Sequence, residues 1–499
     1  MRVWPLLYRR LLHFVAIATA ALVIASCATP QPPIPEKVTL AQDTSRRAWN
    51  PTVASDPGGR VYVSYYASPE GRAYGLYVTR SLDGGATWLA EPVNLETPQT
   101  RGKRIGFHKL ETDGKGHVFV TWSIESEVAG GRWRTVELRR RHSSDFGTTW
   151  TGPAIAWIAQ GTMTYPTPLT GPDGEMMVIW KGREESTSGL FFSRTSQGST
   201  DWLPAPIRID SPQPGSVLEG SQQATPSEPE WPDTSRDQEG RLFVAWQQVR
   251  EPSARIHFDR SLDLGATWLT PDIRVDTSKE ESSISRIPRI ATDGRGGAYM
   301  IWEDFRSGQA AIHFNRSVDL GATWLREDIR LGPERPSGVN AFFPQITSDR
   351  QGRVYVVWHE GFEGFDTIHF TRSVDRGTTW LLRPRQVDHH GSDATSEAAR
   401  LVNDDDGHVY VAWGEQGKTT TSVWFNHSSD AGETWLPRPI RLDSGGTKTR
   451  VRVPRMSVDG KGTIYVVWSG DRSGKLDLFL NRTTDHGETW LPQELQITR

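Results

Sequence analysis

The 499-residue chain has almost no cysteine; Cys27 is the only one. A single thiol excludes an internal disulfide framework, a CxxC redox pair and a cysteine-built metal site within one chain. Positive charge is not in excess either, with 57 Lys and Arg against 60 Asp and Glu. A formal charge of −3 does not attract a phosphate backbone, so nucleic acid is not an expected partner. Long apolar runs are missing beyond one stretch near the start, and nothing in the sequence asks for a cofactor or a metal. Glycine, proline and tryptophan are abundant instead, at 47, 32 and 21 residues. That mixture points to many short strands joined by tight turns.

The one apolar stretch, Leu11 to Ile24, follows Arg2, Arg9 and Arg10 and precedes small residues. It is too short for a comfortable membrane span and has the build of a signal peptide. Ile24-Ala25-Ser26-Cys27 resembles the lipobox of bacterial lipoproteins, in which cleavage precedes a cysteine that carries a diacylglycerol. The resemblance implies a signal peptide over residues 1–26 and a lipidated Cys27. Residues 27–37, with Pro30, Pro32, Pro33 and Pro35, then form a stiff tether. Ala28 after the cysteine is similar to lipoproteins sent to the outer membrane. The expected location is the cell envelope, on the outer membrane where there is one, with the lipid as the only membrane contact.

From about residue 38 to the end one motif recurs, S-x-D-x-G-x-T-W. Clear copies run Ser81–Trp88, Ser143–Trp150, Ser261–Trp268, Ser317–Trp324, Ser373–Trp380, Ser428–Trp435 and Thr483–Trp490. A worn copy spans Thr195–Trp202, with Gln197 in place of the Asp. Asp and Ser suit hydrogen bonds to the backbone of a tight turn, Gly a dihedral closed to other residues, and Trp an apolar plug. A whole repeat reads as four strands. In the fifth these are Arg289–Thr292, Ala298–Trp302, Ala311–Arg316 and Asp328–Leu331. A second row of tryptophans (122, 180, 246, 302, 358, 413 and 468) ends the second strands, and Tyr299, Tyr355, Tyr410 and Tyr465 share one strand position. Most aromatics are therefore framework.

The motif resembles the Asp box of sialidases and related BNR-repeat propellers. The resemblance implies an all-β fold: one β-propeller of four-stranded blades over residues 38–499, with the motif as the hairpin between third and fourth strands. Eight blades are expected, or seven if the worn third repeat forms no full blade. Val38-Thr39-Leu40 and Leu495-Gln496-Ile497 are candidate ring-closing strands.

Propellers bind ligands over the central channel, at the mouths of the inner strands. Aligning the repeats places one residue of each there: Trp49, Gly106, Thr164, Glu230, Arg286, Phe342, Glu397 and Arg452. Glu230 with Arg286, and Glu397 with Arg452, read as acid–base pairs from neighbouring repeats, with aromatics between them. Such a rim suits a small polar or sugar-like ligand or simply a salt-bridged channel mouth.

Ser285-Arg286-Ile287-Pro288 matches three of the four positions of the sialidase motif F/Y-R-I-P. Glu303-Asp304-Phe305-Arg306 follows the next strand, where that family often has an acid and a further Arg. The eighth repeat echoes both with Arg452-Val453-Pro454 and Asp471-Arg472. Carried over, Arg286 and Arg452 would grip a carboxylate and Asp304 or Asp471 would be the acid/base, with Arg306 counted among the catalytic residues and Arg472 among the ligand-binding ones. The departures are Ser285 for the aromatic, the motif's place in repeat five rather than one, and the lack of a tyrosine nucleophile in the expected place. Tyr165, beside the ring, and Tyr66, Tyr74 and Tyr77 remain without a framework role. Asp404-Asp405-Asp406-Gly407 occupies an ordinary turn position, and His389-His390 a loop. The insertion Ser211–Ser227 reads as a flap over the channel. These features imply an envelope propeller that binds a glycan or protein ligand without a complete sialidase catalytic set. An exo-sialidase or related glycoside hydrolase is the alternative, and a structural assembly factor the third reading.

Overall fold

The structure is a computed structural model. It describes residues 46–498 except 70–73, 99–101, 129–130, 153, 185–186, 197–200, 212–215, 218–223, 226–227, 281, 363–364, 389–393, 419, 446–449, 452–453 and 472–475. Cys27, the tether, Val38–Leu40, His389, His390, Arg452 and Arg472 lie outside the described residues. The described residues form strands and turns, with no α-helix.

The fifth repeat shows the plan. Strands Ser285–Thr292, Ala298–Asp304, Ala311–Ser317 and Ile329–Leu331 pair antiparallel in chain order. The second of these is buried along its whole length, because other sheets cover both of its faces. The same order recurs in the four-stranded sheets that begin at Arg46, Glu228, Asn340 and Thr395. Repeats two and three are fused. A single 17-residue strand, Ala154–Thr170, ends one and begins the other, giving a seven-stranded sheet. The worn third repeat thus keeps its own strands Met176–Glu184, Thr187–Arg194 and Ile207–Arg208. In the last repeat the inner strand is split into Arg450–Val451 and Arg455–Val458, both paired with Ile464–Asp471. Within the expected flap, Ser216–Val217 pairs with Ala224–Thr225 as a small separate ribbon.

Each boundary between consecutive repeats is filled by one apolar cluster. Between repeats five and six it joins Tyr299, Ile312 and Phe314 to Val354, Val356 and Trp358. The series closes on itself, since Val63, Tyr65 and Trp88 share a cluster with Tyr465, Val467 and Leu480. Ser457 Oγ also accepts the Ser55 N–H across this seam, at 3.0 Å. Leu495–Gln496 serves as the outer strand of the last sheet, pairing with Leu476–Thr483. Ten framework aromatics behave as expected: the seven second-strand tryptophans are buried, and Tyr299, Tyr355 and Tyr410 donate to the first-turn acids Asp293, Asp349 and Asp404.

The S-x-D-x-G-x-T-W segments form the turns between third and fourth strands. In the fifth repeat Ser317 Oγ donates to Asp319 Oδ1 and accepts the Gly321 N–H. Asp319 in turn accepts both the N–H and the hydroxyl of Thr323, at 2.9 and 2.6 Å. Gly321 has φ 81°, and a Cβ there would lie 2.6 Å from the ring of Phe258 in the preceding repeat. The motif tryptophan reaches the same ring, edge-on, at 4.9 Å for Trp324 on Phe258. The turn is thus also a clasp between neighbouring sheets.

Candidate functional site at the channel mouth

The mouth begins with a break in the ladder. In repeats one and three to seven the register between first and second strands shifts just after the ring residue, and in repeat two Gly106 itself lies within the shift. The next residue takes a left-handed conformation, with φ of 50–53° at Asn50, Tyr165, Trp231, Ile287, Phe343 and Ala398. Proline follows in most repeats and has no N–H to give the ladder, so an extra residue bulges out. Each left-handed residue costs roughly 1–2 kcal/mol. In these six repeats the ring therefore offers two successive side chains, where the sequence pattern suggested one in simple register.

Those second side chains supply exposed aromatic surface. Phe343 is 45% exposed and Tyr165 36%. Tyr165 lies 5.0 Å from the ring of Trp231. Phe342 packs on Phe343 at 5.1 Å and stacks on His359. Thr164 is exposed beside Tyr165.

Arg286 does not pair with Glu230. Its Nε donates to Glu303 Oε2 at 2.8 Å, and its guanidinium lies over Phe305 at 4.5 Å. The reason is the ladder: Glu303 is the cross-strand partner of Arg286. Glu303 is fully buried, and its Oε1 accepts the Phe343 N–H at 2.8 Å, so it pins the bulge of the next repeat. Glu230 instead lies 3.6 Å from Lys181, which donates to Glu228 at 2.8 Å.

Asp304 is fully buried. It accepts bonds from Ser285 Oγ, Trp302 Nε1 and the backbone and guanidinium of Arg306. Burial alone would raise its pKa, but these donors outweigh it and hold the value at about 2. Such a carboxylate has no proton to give at neutral pH. Arg306 bridges Asp304 to Asp328, with 2.7 Å to each. Asp471 is partly buried at the end of its strand, across the ladder from Arg450.

A second cluster lines repeats one and two. Trp49 lies 6.0 Å from Tyr66 and 5.8 Å from Tyr74. Tyr66 donates to the Gly106 carbonyl and Tyr74 to that of Ile105, at 2.5 and 2.9 Å. Burial raises both phenols, Tyr74 to about 12, so neither is primed as a nucleophile. Tyr77 stacks on Tyr65 in the core. Gly106 leaves room for Glu125, whose Oε1 would lie 2.3 Å from a Cβ at that position. Glu125 accepts from Arg104 at 2.7 Å, and Arg104 lies over Trp133 at 4.2 Å.

Glu397 has an acidic neighbour that sequence alignment did not select. The pKa of Asp366 is pushed up to about 6, by burial first and then by the Glu397 charge. Asp366 is the second residue of the third strand of repeat six, Phe365–Ser373, and its N–H donates to Thr395 Oγ1 at 2.9 Å. Glu125 and Asp366 were missed, and Glu303 was named only within its motif, because second- and third-strand residues reach the mouth from outside the aligned row. For Glu125 and Glu303 the signal available was an acid just past the second-strand Trp.

One further concavity, of about 490 Å³, is lined by Arg255, Arg274, Asp276 and Thr277–Lys279. Toward the opposite, hairpin side, Asp404, His408 and His486 bring three ligand atoms within 4.8 Å of one another. Asp404 Oδ1 is already the acceptor for three turn N–H groups, and Oδ2 takes His408 Nδ1 at 2.7 Å and Tyr410. The acidic run therefore works as turn structure.

No protein-family model matches the chain, and no curated protein matches it in sequence. Among solved structures it is similar to an ulvan lyase described as a new family of polysaccharide lyase. That match has 10% identity and a TM-score of 0.50, covering 91% of this chain and 96% of that one. Lower-scoring matches include the alpha-L-arabinanase of Penicillium chrysogenum complexed with arabinobiose. It has 15% identity and a TM-score of 0.37, covering 66% and 94% of the two chains. The alpha-L-arabinofuranosidase of Fusarium graminearum has 12% identity and a TM-score of 0.38, covering 64% and 93%. At these identities the likeness is one of fold, and it supports a β-propeller.

Proposed function

We propose that the chain is an eight-bladed, Asp-box propeller of the sialidase-like type whose channel face binds a glycan. The observation that carries this reading is the repeated bulge at the mouth. It turns Tyr165, Trp231 and Phe343 into aromatic platforms beside the charged pairs Arg286–Glu303 and Lys181–Glu228. Aromatic faces with a few fixed polar groups are what a sugar ring needs from a shallow site. The glycan-processing neighbours share the fold and support the same class of ligand.

Cys27 anchors the domain to the cell envelope through a lipid, and the proline tether holds the mouth free of the membrane. Asp304 and Arg306 act as a buried clamp that orients the second strand of repeat five. Of the sialidase-type grip the described residues contain Arg286, whose charge Glu303 already neutralises.

A second reading has one observation in its favour, the Asp366–Glu397 carboxylate pair. An acid held near pH 6 beside a second carboxylate has the form of a glycosidase general acid and its partner. An oligosaccharide array tests both. Wild type should bind a defined glycan set, and Trp231→Ala or Phe343→Ala should weaken that binding at least tenfold while leaving the melting temperature within a few degrees. A blank array would overturn the glycan reading. New reducing ends released from the bound glycans, lost in Glu397→Gln, would establish the enzyme reading in place of simple binding.

A further inference from the structure

On the hairpin side, the acid that opens a first turn has two places from which a partner can come. One is the residue four positions on in the same turn. The other is the residue after the Asp in the S-x-D-x-G-x-T-W turn of the next repeat, which leans back across the boundary. Arginine fills the first place in repeats one, four and six, pairing Arg60 with Asp56, Arg241 with Asp237 and Arg353 with Asp349 at 2.5–2.8 Å. In repeat five it fills the second, and Arg376 reaches back to Asp293 at 3.1 Å. The two places lie face to face, since the Arg60 guanidinium covers the ring of Phe146, from the next repeat, at 3.9 Å.

Repeat seven has histidine at both places at once. His408 Nδ1 lies 2.7 Å from Asp404 Oδ2, and His486, from the last repeat, brings its Nδ1 to 3.8 Å from the same oxygen. The two rings stack at 4.0 Å. A Cβ on Gly462 would stand 2.6 Å from His486 Nε2, so that edge of the ring backs onto the glycine and the Nδ1 edge is turned to Asp404. Tyr410, fully buried, donates to Asp404 Oδ2 at 3.1 Å and stands 3.1 Å from His486 Nδ1.

As counter-charges two stacked imidazoles are redundant, because only one can carry a proton without repelling the other. As metal ligands they are not. Two imidazole nitrogens and a carboxylate oxygen, with a further position open to water, form a donor set that suits zinc. Zinc bonds of about 2.0–2.2 Å hold tetrahedral ligands roughly 3.3–3.6 Å apart. The separations of 2.7 and 3.8 Å from Asp404 Oδ2 bracket that range. Oδ1 is occupied by the turn N–H groups of Asp406, Gly407 and His408, which leaves Oδ2 as the ligand atom. Tyr410 supplies the outer hydrogen bond that orients a ligating carboxylate. The His486 side chain is 36% exposed, so an ion can enter from solvent.

We propose that Asp404, His408 and His486 form a zinc site that clips the first turn of repeat seven to the hairpin turn of repeat eight. The site stands apart from the channel mouth and needs no glycan. Spacing along the chain gave no sign of it, because the third ligand comes from the following repeat.

The test uses the full chain after dialysis against a chelator, with three variants. His408→Arg places at the first position the side chain that serves in repeats one, four and six, so without metal it should melt within a few degrees of wild type. His486→Ala removes the second imidazole. His142→Ala breaks a different histidine pair, in which His142 packs edge-on against His117 at 5.5 Å beside Asp113. Calorimetry should find one zinc ion per chain in wild type and in His142→Ala, with binding at least tenfold weaker in His408→Arg and His486→Ala. Excess zinc should raise the melting temperature of wild type by roughly 2–4 °C and leave those two variants unmoved. A wild type that binds no zinc would overturn the site. Equal binding by wild type, His408→Arg and His486→Ala would also overturn it and put the ion elsewhere. So would a shift with calcium or magnesium as large as that with zinc, since those ions take oxygen ligands rather than imidazole.

Discussion

Asp259 illustrates how single residues divide their work. It is fully buried; Oδ1 accepts the N–H groups of Arg260 and Leu269, and Oδ2 has no partner. Three other repeats have Asn at this position, and Asn315, Asn426 and Asn481 donate their amides to carbonyls of the preceding repeat. Burial, with a contribution from Asp272, pushes the Asp259 pKa up to about 8. A raised folded-state value means that its stabilising contribution is whole below about pH 4 and is lost as pH rises through about 8. Asp259→Asn should therefore stabilise the protein at pH 8 by roughly 1–3 kcal/mol, the cost of a buried polar atom without a partner. At pH 4.5 the gain should be much smaller. Denaturant melts at the two pH values check this, and an equal gain at both would refute the account. The framework role of Trp302 or Tyr299 could be read from its spacing. The roles of Glu303 and Glu125 could not, because an acid past a strand end looks solvated until the ladder register sets it opposite Arg286 or beside Gly106.

At the scale of elements, the strands and hairpin turns were legible because the motif dictates them. Ser, Asp, Gly and Thr close the turn with their own side chains, and their spacing fixes where the third strand ends. The sequence hid the clasp, since Gly321 is required by Phe258 of the previous repeat as much as by its own φ. Gly321→Ala should cost roughly 2–5 kcal/mol, combining a left-handed alanine with a Cβ driven into a packed ring. Thermal unfolding would show it, and a melting temperature within a degree of wild type would mean that Trp324 and Phe258 do not clasp. The bulge at the mouth was also hidden. Proline marks it, but the side chains it re-aims at Tyr165 and Phe343 follow from the ladder shift. So was the fusion of repeats two and three, where Ala154–Thr170 runs through without a loop.

For the whole molecule, circular closure makes the channel. The seam between Ser55 and Ser457 joins residues 402 apart in sequence, and the inner strands meet only because the last sheet packs on the first. The candidate site was least legible at this scale, because the mouth draws Tyr165, Trp231 and Phe343 from separate segments. The envelope anchor is tested by fractionation. Cys27→Ser should move the protein from membrane to soluble fractions, and persistence in the membrane would remove the lipid anchor from the account. The most direct test of the central claim is hydroxyl-radical footprinting with the tightest-binding oligosaccharide from the array. Protection is expected at Trp49, Tyr165, Trp231 and Phe343, with the hairpin tryptophans Trp324, Trp380 and Trp435 unchanged. Protection at those hairpins and none at the mouth would contradict it.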